Sequence, residues 1–384
     1  MVQTLVGALG HRHRALVDER GRVAPTDATW ELGWWIGAED RWHVPEREAS
    51  VRQTLIDGTP VVQTAMRVPS GDALHRVYGV AGDGDPIVVE VENASPAPFV
   101  VALVASGASA ITLDGAEVFL DGRSAVVSPR PPSRWSCGVG GVELEVMSGG
   151  AQTGAFRPMR DRGARIEAAF LHPVPHRATV RLVLSGRRAG APIDLATIPD
   201  ADSVARGWQR QIDRGTRFEV ADESLMTAVR CALGAALLST AEPRAVAALE
   251  DWGFDDEATA GWAMLTWRQR RAAARRSPHQ MSWSDVTAAR AEGGAPFLLA
   301  LRSLLVYDAD GATSILAELP NEWRGGPIDL RGAPTRHGPV SFSVRWHGER
   351  AALLWEVPTG VALRAPGLDP EWSTTEPTGE ALLG

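Results

Sequence analysis

The chain has 384 residues, enough for two or three domains that each bury a core. Its 39 basic and 47 acidic residues leave a net charge of -8, which repels phosphate backbones and anionic bilayers and argues against nucleic acid or a membrane as partner. No lysine occurs, which excludes Schiff-base, pyridoxal phosphate and phosphate-loop chemistry that depends on that side chain.

The opening "MVQTLVGALGHRHR" carries its charges after the apolar run and lacks a leader-cleavage pattern, and no stretch reaches the roughly 20 apolar residues of a membrane span. A soluble, cytoplasmic protein is expected. From Val2 to about Ser185 short β-like runs succeed one another. "GVELEVM" alternates Val142, Leu144 and Val146 with Glu143 and Glu145, and "RATVRLVLSG" sets Val180, Leu182 and Leu184 on one face. Asp114-Gly115 and Asp121-Gly122 read as turns between such runs. Many strands at short spacing predict a large antiparallel sandwich.

Periodicity changes after Pro199. "DSVARGWQRQIDRG" predicts a connecting helix, and Asp222 offers an N-cap to a helix with Leu225, Val229, Leu233 and Leu237 on one buried face. A shorter helix follows Pro243 and stops at Gly253; the next starts at Asp255 or Asp256 and carries Ala258, Trp262 and Leu265 inward. Another, from about Ala295, buries Phe297, Leu298, Leu301, Leu304 and Leu305. Asp310-Gly311 then predicts a hairpin, and "SFSVRWHG" alternates Phe342, Val344 and Trp346 with polar residues, as a strand with one wet face does. The tail after Pro366 reads as irregular, pinned by Trp372. The expected fold is mixed β and α: an N-terminal β-sandwich (1–198), a linker helix and helical hairpins (199–305), and a small C-terminal β-domain (306–384).

That order of parts, with "IVVEVENASPAPFVVALVAS", "GWQRQIDRGTRFEVADESL" and the closing "ILAELPNEWRGGPIDLRGAPTRHGPVSFSVRWHGERAALLWEV", resembles glycosidase-like proteins of the six-hairpin α/α-toroid superfamily. Glucoamylase-like, trehalose or maltose phosphorylase-like and debranching-enzyme-like members belong to it. The resemblance implies an α-glucoside as ligand and its hydrolysis or phosphorolysis as reaction. The 199–305 window holds about two or three hairpins at ordinary helix lengths, so the implied ring is incomplete and a non-catalytic binding or scaffold protein is the alternative. No motif carries the family's acid and base over by position.

Glycoside hydrolysis needs two carboxyl groups flanking one bond. The helical region offers "LEDWGFDDEA", whose Glu250 and Asp251 are the catalytic candidates; acids there also suit helix termini. The N-terminal region offers "ELGWWIGAEDRWHVPERE", in which Trp34 or Trp35 is a candidate stacking face for a pyranose and Glu39 and Asp40 are candidate acceptors for hydroxyls. Any sugar site is expected where that loop nears Asp251. Burial of the indoles, with Glu46 and Glu48 paired to Arg41, Arg47 or Arg52, is the competing reading. His11 and His13 lack a visible third ligand, His172 and His176 in "HPVPH" read as loop residues, and "RQRRAAARR" reads as a helix end. Cys137 and Cys231 suggest neither disulfide nor zinc. No cofactor and no metal are expected.

Overall fold

The computed structural model describes residues 3–82, 84–161, 163–185, 194–273, 280–309 and 311–384. Strands make up about 40% of the chain and helices about 25%. No described helix is long and apolar enough to cross a membrane. The chain forms two compact units, one ending at Arg206 and the other starting at Gly207.

In the first unit two antiparallel sheets share one apolar core. One sheet runs in the order Gln3–Gly7, Arg14–Asp18, Val23–Pro25, Glu31–Gly37, Phe99–Ala108, Ile166–Val174, Arg134–Gly138, with Trp42–His43 paired to Glu31–Gly37. The other centres on Thr179–Leu184, Ile87–Ala94, Gly71–Gly79 and Val62–Val68. Their facing residues, among them Val17, Leu32, Trp34, Val89, Val91, Leu103 and Leu182, form a continuous cluster, which is what period-two patterning on both sheets produces. Asp121 and Gly122, at φ 51° and 78°, make the two-residue turn expected of them.

One run expected as a strand is a helix. "VELEVM" forms α1 (Val142–Met147), bounded by Gly141 and by Gly149. Val142 and Val146 are also four residues apart, so the helical period buries both and leaves Leu144 74% exposed. A second correction concerns His172, which lies in the strand Ile166–Val174 and is 4% exposed, whereas His176 is in the following turn. Pro173 is tolerated because it falls past the last register of the neighbouring strand Arg134–Gly138.

Polar groups are buried in this unit as well. Glu90, 2% exposed, accepts from Tyr78 Oη and Arg181 Nε, each at 2.7 Å; Arg181 Nη1 also donates to Ile198 O, and Pro199 O, 2.9 Å from Tyr78 Oη, is an alternative acceptor for the one phenolic proton. His75 is stacked on Trp34, and burial lowers its pKa to about 3; burial lowers that of His172 to about 4. Both imidazoles are therefore neutral in the folded protein at pH values where the unfolded chain takes up protons. As pH falls below about 6.5, each is expected to remove stability at up to about 1.4 kcal/mol per pH unit, down to its folded value. Denaturant unfolding from pH 7 to 4.5 measures this: the double variant His75→Phe/His172→Leu should lose stability less steeply than the wild type. Equal slopes would contradict the assignment.

In the second unit, α2 (Ala201–Ile212) leads from the first unit and the strand Arg217–Val220 follows. The helices are α3 (Glu223–Leu238), α4 (Pro243–Asp251), α5 (Asp255–Met264), α6 (Trp267–Ala273), α7 (Trp283–Glu292) and α8 (Gly294–Leu305). Asp222 caps α3 by accepting from Leu225 N at 2.9 Å, and Leu225, Val229, Leu233 and Leu237 are buried as their spacing predicts. Helix α8 packs against α3, α4 and α7, and it buries the five apolar side chains expected of it. Arg217–Val220, inside the stretch expected to be helical, pairs with Ile328–Ala333 and so joins the closing strands in a five-stranded sheet. Phe342 and Val344 face inward in that sheet. Asp310 lies outside the described residues; Gly311, at φ 76°, stands between the paired strands Val306–Ala309 and Ala312–Ile315. Arg275 and Arg276 of the arginine-rich run also lie outside them. The tail is not irregular: Asp369–Thr374 and Thr378–Leu383 are strands, and Trp372 packs edge-on against Trp355 at 5.2 Å.

Candidate functional site

Trp34 and Trp35 are consecutive on the strand Glu31–Gly37, so they point to opposite faces of the sheet. Both faces are covered there. Trp34 is 2% exposed; it stacks on His75 with centroids 4.8 Å apart and donates from Nε1 to Arg20 O at 3.0 Å. Trp35 is 6% exposed and packs with Val44, Val142 and Val146 under α1. Neither indole presents a ring face to a sugar, contrary to expectation.

Glu39 and Asp40 are exposed in the turn that follows. The buried His43 stands between two carboxylates, with Nε2 3.0 Å from Asp40 Oδ1 and Nδ1 3.2 Å from Glu48 Oε1. The hydrogen bond with His43 holds Asp40 below the usual carboxylate range, and Arg41 does the same for Glu48. Such acids stay ionised, the reverse of what proton donation requires. Glu46 pairs with Arg22, and Arg47 with Glu143.

Glu250 and Asp251 belong to the second unit, in the last turn of α4. Neighbouring helix positions diverge by about 100°, so these two carboxyls do not face one another across a bond. Glu250 Oε2 accepts from Trp262 Nε1 at 3.2 Å. Asp251 serves through its backbone, whose carbonyl accepts from Arg302 Nε at 3.0 Å. This turn is built to hold the helices together.

A different carboxylate pair lies on the outer face of the eight-stranded sheet. Glu31 and Glu167 are each registered directly opposite Ser106, from the two sides of the strand Phe99–Ala108, so all three share a face. Two strand spacings put the glutamate backbones about 10 Å apart. Ser106 Oγ donates to Glu31 Oε1 at 3.4 Å, and Arg22 pairs with Glu31 and Glu46 together. Burial first, and then the charge of Glu143, push the Glu167 carboxyl above its ordinary range, against the pull of Arg22. Immediately after Ser106 the strand bulges at Gly107, φ 97°, where an added Cβ would stand 2.7 Å from Thr29 O. Only glycine fits that approach, which sets the end of the row.

Sequence reasoning passed over this row. Glu31 stood at the head of the tryptophan-rich stretch without a partner, and Ser106 and Glu167 lie far from it along the chain; only strand pairing unites them. A shallow cavity of about 380 Å³ lined by Glu19, Arg20, Val51 and Gln53 is a weaker site, because Arg20 Nη1 is turned to the carbonyls of Pro45 and Glu48.

No protein-family model matches the chain, and no curated protein does.

Proposed function

We propose that the chain is a carbohydrate-active, glycoside hydrolase-like protein, and that its first unit engages an α-glucoside at Glu31, Ser106 and Glu167. The sugar class rests on the resemblance of the sequence to the six-hairpin glycosidases; in this reading the helices between the two β-rich stretches of this chain are a shortened, incomplete ring. The observation that carries the proposal is the meeting of two carboxyls across one serine, Glu31 ion-paired with Arg22 and Glu167 pushed upward by burial and by Glu143. Such a pairing divides acid from base.

In this reading Glu167 gives its proton to the glycosidic oxygen as the bond from the anomeric carbon to that oxygen breaks. Glu31, ion-paired with Arg22, takes a proton from the water that attacks the anomeric carbon. Backbones about 10 Å apart suit the wider carboxyl separation of inversion, roughly 6.5 to 9.5 Å, because a water must fit between base and sugar.

The test is a turnover assay with α-glucosides and their oligomers at pH 5 to 7. Glu167→Gln should lower kcat/KM by about 100-fold or more, and Glu31→Gln comparably, in proteins with unchanged unfolding midpoints. Turnover untouched by both substitutions would overturn the assignment. The non-catalytic alternative is favoured by the structural duty of Glu250, one of the two catalytic candidates. It predicts calorimetric binding with no products released by the wild type.

A further inference from the structure

We infer that the second unit carries a self-association surface, in which a basic aromatic corner of one copy receives an acidic leucine face of another. The corner is the junction of α5 and α6. Met264 and Trp267 stand 59% and 66% exposed there, three residues apart, and Arg268 lies over the Trp267 ring at 5.7 Å. Arg271 is exposed one turn further on. Arg270 turns back to donate to Leu265 O at 3.0 Å and Ala263 O at 3.3 Å, which fixes the junction in this shape.

The complementary face lies on Arg350–Glu356 and Thr378–Leu383. Register sets Leu354 opposite Glu380 and Ala352 opposite Leu382, and Glu356 opposite Thr378, so Leu354, Leu382, Glu356 and Glu380 share one side of the sheet. Leu354 and Leu382 are 43% and 44% exposed, and both glutamates are exposed. Thr378–Leu383 ends the sheet order and contains no proline or bulge to protect its edge.

Each patch thus offers two large apolar side chains and two charges, of opposite sign in the two patches. Arg268, Arg271, Glu356 and Glu380 make no ion pair with a described residue. In a chain of net charge -8 the corner is a local excess of positive charge, and its counterpart is present in every second copy. Tryptophan and arginine are the side chains that most often dominate an interface energetically. The two patches differ, so the contact is heterologous and builds rings or open chains rather than simple two-fold dimers.

Sedimentation equilibrium on the full chain tests this. Wild type should associate reversibly, more weakly at about 0.5 M salt than at about 0.05 M because screening weakens exposed charge pairs. Trp267→Ala and Arg268→Glu should each weaken association about tenfold or more. Glu380→Arg should do the same, and combining it with Arg268→Glu should restore most of the loss. All three side chains are exposed, so the fold should survive, as circular dichroism would verify. A wild type that stays monomeric would overturn the inference. So would association that persists in Arg268→Glu, which indicates edge-to-edge strand pairing, or binding of the wild-type monomer to anionic vesicles through Trp267, which assigns the corner to a lipid surface.

Discussion

Arg302→Met is expected to destabilise the second unit by about 3–5 kcal/mol at neutral pH. Arg302 sits on α8 among leucines and is 6% exposed. Its guanidinium donates to Asp251 O, at the end of α4, and to Val306 O and Pro334 O. It joins α4, the end of α8 and the loop that follows the strand Ile328–Ala333. Burial lowers its pKa, and the charges of Asp251 and Asp308 oppose that effect. Methionine fills similar space but supplies no donor, so three carbonyls lose their partner where water has poor access. Denaturant unfolding followed by tryptophan fluorescence measures the loss. Arg302→Lys should fall between the two, since one ammonium can reach fewer of the three acceptors in the planar arrangement the guanidinium serves. A loss below about 1 kcal/mol for the methionine variant would show that the network contributes little.

Arg181→Met should cost the first unit a similar amount, about 3–5 kcal/mol, for a different reason. Arg181 is the cation beside Glu90, which is 2% exposed, and Tyr78 Oη is the other donor to that carboxylate. Removing the guanidinium leaves a buried anion with one neutral donor. The double variant Arg181→Met/Glu90→Met removes the anion as well, and should recover most of the loss because the desolvation cost disappears with the charge. Tyr78 would keep Pro199 O as acceptor at 2.9 Å. If the double variant were as unstable as the single, the cost would lie in packing rather than in an orphaned charge. Thermal and denaturant unfolding of the three proteins separates the two explanations.

The sequence made the regular parts of this fold legible where one period dominated. Asp222 with Leu225, Val229, Leu233 and Leu237 named α3 and its cap, because a side-chain acceptor and a four-residue repeat agree. It misled at "VELEVM", which satisfies both the strand and the helix period over so short a run. Helix α7 passed unseen although Ser282 and Asp285 form a reciprocal cap at its start; its apolar side chains are too few to mark a face, and among them only Val286 is buried. Arg302 was hidden for the opposite reason, since a lone arginine in a leucine-rich helix reads as its solvent side.

The site was less legible than the fold. Acid and tryptophan composition drew attention to residues that are conspicuous along the chain; of those, Trp34 and Trp35 are packed, Asp40 is bound to His43 and Glu250 to Trp262, and Glu39 is exposed in a turn. Glu31, Ser106 and Glu167 are inconspicuous singly. Antiparallel register sets them in one row, and burial of Glu167, with the charge of Glu143 beside it, raises its carboxyl while Glu31 pairs with Arg22. Neither pairing partners nor electrostatic neighbours distant in the chain can be read from local periodicity.

Titration of the Glu167 carboxyl by ¹³C NMR, with and without an α-glucoside oligomer, tests the central claim most directly. The account predicts a midpoint above the ordinary glutamate value of about 4.3, lowered by Glu143→Gln and displaced when the sugar is added. A midpoint at or below that value, unmoved by sugar, would contradict it.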